Sequence, residues 1–123
     1  MQIFFRKHCL LCGAFSNDDL CTPCRNSLPY LPFDRCPVCA LPAAGRLVCG
    51  ACLAYPPAFA HTVAAVSYAF PIDAMIHSLK YRANLAMAPI LADLLAAQID
   101  QVIFPDFIVP MPLHPVRLRE RGF

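Results

Sequence analysis

Four CxxC pairs follow one another between residues 9 and 52: Cys9-Leu-Leu-Cys12, Cys21-Thr-Pro-Cys24, Cys36-Pro-Val-Cys39 and Cys49-Gly-Ala-Cys52. A CxxC turn places both sulfurs on one side of the backbone, about 2.3 Å from a shared tetrahedral zinc ion. One such pair would fit a thioredoxin-like redox site equally well, but four in succession indicate zinc. The stretch therefore predicts a small zinc-ribbon module of short β-hairpins and irregular segments.

The four pairs also form an internal repeat. Cys9 and Cys36 are 27 residues apart, and Cys21 and Cys49 are 28 residues apart. Since each copy supplies four ligands, we expect one zinc ion within each copy, although the spacing alone leaves open a pairing crossed between copies. With every coordination position filled by cysteine, both ions would be structural rather than catalytic.

The cysteines also constrain the cellular compartment. A disulfide framework would require export, and the segment from Met1 to Cys9 has neither an apolar core nor a small-residue cleavage site. We therefore expect a cytoplasmic protein. The mean hydropathy of +0.53 raises the possibility of a membrane span, but the longest uncharged run contains Pro56 and Pro57. Broken backbone of this kind is unfavourable in lipid, so we predict no membrane span.

Charge argues against a basic nucleic-acid patch. The formal charge is +2 with neutral thiols, and eight thiolates with two zinc ions change it to −2. One alternative stays open: a zinc-ribbon module that binds a protein or a single-stranded nucleic acid. Such a module would use aromatic residues beside Lys7 and Arg35. The candidate aromatic residues are Phe4, Phe5, Tyr30 and Phe33.

A change of composition divides the chain at Tyr55-Pro56-Pro57-Ala58, so we predict domains at 1–57 and 58–123. In the second, β-branched and aromatic residues predict a strand over 62–70, and Pro71 precedes a helix ending near Arg82. A further helix is expected over about 85–98 and a strand over 106–112. This strand-helix-helix-strand order predicts the beginning of an α/β domain, incomplete in this chain. We expect the incomplete sheet to expose five residues, namely Val63, Val66, Ile76, Leu79 and Ile108.

Arginines alternate directly after the second predicted strand, at Arg117, Arg119 and Arg121, followed by Gly122. Ligands of open α/β sheets bind outside the carboxyl ends of strands, where arginines and a glycine suit a phosphate group. A solvated basic tail is the alternative, and the spacing does not separate the two.

The cysteine pairs, Leu79-Lys80-Tyr81, and the run from Val109 to Phe123 together resemble the ComF family of competence-associated proteins. The resemblance implies a zinc ribbon followed by a type I phosphoribosyltransferase-like domain, acting in DNA uptake and natural transformation. It also implies a protein partner in the DNA-uptake machinery. By motif match, the implied pyrophosphate contacts are Arg117, Arg119, Arg121 and Gly122, with Lys80 a weaker candidate.

The family pattern continues beyond Arg-Gly-Phe to two adjacent acidic residues and a threonine- and glycine-rich phosphoribosyl-binding loop. That signature is absent from this sequence. We therefore expect a truncated form without independent catalysis, and whether the complete protein is an enzyme stays open.

Overall fold

The computed structural model describes residues 7–99 and 105–122. Its regular elements are short. They are α1 (Thr22–Asn26), a 3-10 helix (Ala44–Arg46), α2 (Gly50–Ala54), α3 (Ile72–Arg82), α4 (Met87–Ala96) and α5 (Pro115–Arg121).

The hairpins predicted for the zinc-ribbon module are reduced to single bridges. One isolated antiparallel bridge joins His8 to Phe15, and another joins Arg35 to Pro42. The second CxxC pair of each copy lies at the start of a short helix, α1 or α2, instead of in a hairpin. The expectation of β-hairpins was therefore only partly correct.

The two long helices lie where the sequence predicts them. Pro71 occupies the N-cap position of α3, and Lys80 and Arg82 lie in its last turn, where cations interact favourably with the helix dipole. Ala83, at φ 51°, ends the helix in a left-handed conformation. Apolar residues at helical spacing bury Ile72 and Met75, and α4 packs against the same side.

The two predicted strands are wrong. Within 62–70 only Val66 forms a bridge, to Tyr30, and residues 105–114, all of which the structure describes, form no strand. A strand is stable only beside a neighbour that accepts its backbone hydrogen bonds. The segment over 106–112 has no such neighbour among the described residues. Pro110 and Pro112 also lack the N–H that a sheet requires.

The core combines residues from both sides of Pro57. Leu20 and Leu28 of the first zinc-ribbon copy join Cys9 and the buried faces of α3 and α4 in one hydrophobic cluster. The residues contributed by the helices are Ile72, Met75, Met87, Ile90 and Leu94. The first copy is therefore packed directly against the helices.

The expected solvent exposure holds for two of the five residues. Val63 is 39% exposed and Ile108 is 87% exposed. Val66, Ile76 and Leu79 instead pack against the edge of the core, because the first zinc-ribbon copy covers part of the surface that a sheet would cover. None of the helices within 7–99 and 105–122 is long and apolar enough to cross a membrane.

Candidate metal centres

Each copy begins with the same hydrogen-bonded turn. The N–H of Gly13 donates to the carbonyl of Cys9 at 2.8 Å, and the N–H of Ala40, 27 residues later, donates to that of Cys36 at 2.9 Å. Both turns require a positive φ, which is 73° at Gly13 and 61° at Ala40. Glycine adopts this conformation freely, whereas alanine adopts it with strain. The repeat in the sequence is thus a repeat of local structure.

The second pair of each copy is positioned by a helix. Cys21 is the N-cap of α1 and Cys49 is the N-cap of α2. Their carbonyls accept from Arg25 at 2.9 Å and from Leu53 at 3.0 Å. The first helical turn brings the second cysteine of each pair back beside the first. A turn and a helix start therefore present four sulfurs to one point in each copy.

The sulfurs gather within copies and not between them. Cys9, Cys12, Cys21 and Cys24 form one cluster, Cys36, Cys39, Cys49 and Cys52 form the other, and the sulfurs of each lie within 4.8 Å of one another. Cys12 and Cys21 are separated by 3.7 Å between sulfurs, as are Cys39 and Cys49. Four sulfurs at about 2.3 Å from a tetrahedral zinc ion lie about 3.8 Å apart. The arrangement therefore fits two zinc ions and excludes the crossed pairing.

The electrostatics of the thiols also favour a cation. The N–H groups of Cys39 and Cys49 lower the pKa of Cys36 from 9.0 to about 6. Burial raises the pKa of Cys9, but backbone donors at Cys21, Cys12 and Leu11 outweigh it, so that its pKa is also about 6. Each cluster therefore forms one thiolate readily.

Further ionisation within a cluster is opposed. The neighbouring Cys21 and Cys12 thiols raise the pKa of Cys24 to about 12, and burial with neighbouring thiols raises that of Cys52 to about 12. Four thiolates this close repel one another, and a divalent ion at their centre removes that repulsion. The clusters fit two structural zinc ions without an open coordination position.

The cations beside the clusters have other contacts. Lys7 lies 3.7 Å from a carboxylate oxygen of Asp19, and the guanidinium of Arg35 donates to the carbonyl of Ala64 at 2.8 Å. The ring of His8 bonds to the carbonyl of Gly13 at 3.0 Å and belongs to neither cluster. Arg35 thus connects the second copy to the segment before α3. Phe4 and Phe5 lie outside the described residues.

The arginines expected in a loop lie on a helix. Arg117, Arg119 and Arg121 all belong to α5, and Gly122, at φ 79°, ends it. Arg117 pairs with Glu120 at 2.9 Å, while the Arg121 guanidinium lies 5.9 Å from the centre of the Tyr81 ring. Tyr81 follows Lys80, so the ends of α3 and α5 are adjacent. The loop expectation was wrong because Pro115, directly after the His114 N-cap, begins a helical turn.

Arg46 and Phe33 form a contact that the sequence did not indicate. The Arg46 guanidinium lies 4.6 Å from the centre of the Phe33 ring, and 77% of Phe33 is exposed. Arg46 follows Gly45, and both have a positive φ, of 58° and 62°. The Gly-Arg pair was the available signal, since glycine permits the turn that directs Arg46 towards the ring.

Comparison with known proteins agrees with this geometry. Residues 1–53 match a model of the double zinc ribbon domain. The chain is 34% identical to the DNA utilization protein YhgH of Salmonella typhimurium over 125 residues, which covers 94% of the chain and 55% of that protein. It is 37% identical to YhgH of Escherichia coli K12 over 95 residues, covering 72% of the chain and 42% of that protein.

The chain thus spans about half the length of the curated relatives it matches. No solved structure gives a significant match. The zinc-ribbon part of the expected architecture is supported by both geometry and comparison.

Proposed function

We propose that this chain, with its double zinc ribbon and its similarity to DNA utilization proteins, acts in the handling of DNA taken up by the cell. The observation that carries the proposal is the similarity to YhgH across 94% of the chain, which extends well beyond the zinc ribbon. The closed cysteine clusters give the zinc ribbon a structural role. We place this function in the cytoplasm, with a protein of the DNA-uptake machinery and single-stranded DNA as partners.

The ComF resemblance extends the proposal to the second half of the chain. In this view residues 58–123 correspond to the beginning of a phosphoribosyltransferase-like domain, and the arginines of α5 lie in its pyrophosphate-contacting region. The Arg121 Nε supports this, because it is buried without a hydrogen-bond partner in the described structure. A phosphate oxygen would satisfy it. Lys80 and Gly122 lie at the adjacent ends of α3 and α5.

Titration with inorganic pyrophosphate, followed by calorimetry, tests this extension. Arg121→Ala should abolish binding. Arg117→Ala is the matched control, because that guanidinium is already paired with Glu120. Equal affinities of wild type and Arg121→Ala would refute the assignment of the arginines.

Deletion of the gene in its host, followed by measurement of labelled DNA entering the cell and its incorporation, tests the main proposal. We expect both or incorporation alone to fall, and complementation with wild type to restore them. A Cys24→Ser, Cys52→Ser double variant should not complement, whereas Arg25→Ala, an exposed non-ligand beside Cys24, should. Unchanged uptake and incorporation in the deletion strain would refute the proposed function.

A further inference from the structure

A pocket of about 180 Å³ opens beside the second zinc cluster and lies outside both metal centres. It is lined on one side by Phe33, Arg35 and Arg46, and on the other by Thr62, Ala64 and Gln98 among others. No aspartate or glutamate is among the described residues that line it. A concave surface with two guanidinium groups and no carboxylate has the chemistry of an anion site.

The two arginines are held in place by different means. Arg35 is half-buried, and its donation to the Ala64 carbonyl fixes its guanidinium while leaving further donors. Arg46 is positioned by the left-handed turn at Gly45 and by its contact with Phe33. Neither is paired with a carboxylate within the described structure. A left-handed conformation at a residue other than glycine is strained, and such strain is concentrated at functional positions.

Phe33 contributes an aromatic surface. Because the Arg46 guanidinium lies over one face and 77% of the side chain is exposed, the other face of the ring is available to a ligand. An exposed ring beside two cations matches the way that proteins bind single strands: bases stack on aromatic rings, and cations track the phosphates. A duplex keeps its bases stacked inside and offers no free base to the ring.

We propose that the pocket formed by Phe33, Arg35 and Arg46 binds single-stranded DNA, with one base stacked on Phe33 and neighbouring phosphates held by the two guanidinium groups. The proposal rests on the DNA-handling function above and names the surface that contacts the DNA. The negative charge of the filled zinc clusters does not oppose it, because contact is local and the arginines lie between the cluster and the ligand's phosphates.

Fluorescence anisotropy of a labelled oligothymidylate with the purified, zinc-loaded chain tests the site. Loss of one base stack predicts that Phe33→Ala weakens binding roughly 5- to 150-fold. Tyr55→Ala removes another exposed ring, outside the pocket, and should leave affinity unchanged. Zinc content of each variant confirms that it is folded. Equal affinities for wild type and Phe33→Ala, or equal affinities for single strand and duplex, would overturn the proposal.

Two further measurements separate stacking from charge. A strand of abasic nucleotides should bind wild type as weakly as the natural strand binds Phe33→Ala. Contact with two phosphates predicts a slope of log affinity against log salt of about −1.4, and Arg46→Gln should reduce it in magnitude to about 0.7. Arg25→Gln, an exposed arginine of the first copy, should leave the slope unchanged.

The oligonucleotide assay and the uptake assay fail independently. Normal binding with no effect of gene deletion would refute the cellular function alone. Defective uptake in the deletion strain, with binding that is insensitive to Phe33→Ala and Arg46→Gln, would refute this site alone.

Discussion

Leu20 is the residue whose replacement best tests how the zinc ribbon is attached to the helices. It precedes the ligand Cys21, is 1% exposed and belongs to the same cluster as Met75 and Ile90. Leu20→Ala removes three buried carbons, which lose about 2.4 kcal/mol of transfer free energy at about 0.8 kcal/mol each. A cavity that does not collapse adds to this, so we expect a loss of about 3–4 kcal/mol in the free energy of unfolding.

That loss is a large part of the roughly 5–15 kcal/mol that stabilises a domain. The assay is urea denaturation at fixed free zinc concentration, followed by far-ultraviolet circular dichroism and by zinc release to a chromogenic chelator. Because Leu20 lies in the core shared with α3 and α4, both signals should shift together to lower urea. Leu53→Ala is the matched control, since Leu53 also adjoins a zinc ligand but is 68% exposed. It should change stability by less than about 0.5 kcal/mol.

Two results would refute the reasoning. One is a Leu20→Ala variant within about 1 kcal/mol of Leu53→Ala, which would place Leu20 outside a packed core. The other is loss of zinc from the first cluster at a urea concentration where the circular dichroism is unchanged, which would make the zinc ribbon and the helices independent units.

Three shorter predictions concern the metal centres. Metal analysis of the purified chain should return two zinc ions, one for each cysteine cluster, and one or none would contradict the geometry. Gly13→Ala should destabilise the protein by about 1–2 kcal/mol because φ is +73°, whereas Gly50→Ala, with no positive φ and open space around it, should be neutral or stabilising; similar melting temperatures for the two would contradict this. The pKa values of Cys9 and Cys36 are lowered from 9.0 to about 6, so their contribution to stability is full above pH 9 and is lost as the pH falls through 6. Zinc should therefore be retained at neutral pH and released below about pH 6, and release that does not depend on pH would exclude proton competition.

Features set by local chemistry could be predicted from the sequence. The CxxC spacing predicted both clusters and their ligands, because a tetrahedral ion with four thiolates allows few arrangements. Pro71 and the apolar periodicity after it predicted α3, since both act within one helical turn.

Features that depend on distant partners could not be predicted. The residues at 62–70 have strand composition, but only Val66 has a neighbour, Tyr30, to pair with. The placement of Arg35 depends on Ala64, and that of Arg121 depends on Tyr81, at separations that no local pattern encodes. The contact between Phe33 and Arg46 depends on two successive residues with positive φ, of which the sequence marks only the glycine.

The difference between the two copies explains why a binding surface would develop on the second. Cys9 and Cys36 are equally buried, but only Cys9 belongs to the core cluster, so the first copy is the one that supports α3 and α4. In the first copy Lys7 pairs with Asp19. Twenty-seven residues later the charges are reversed, yet Arg46 lies over Phe33 and forms no described ion pair. An arginine needed only for charge balance would have a carboxylate partner as Lys7 does. Its contact with an exposed ring is consistent with a surface kept for a ligand, because neither side chain is required to pack the helices.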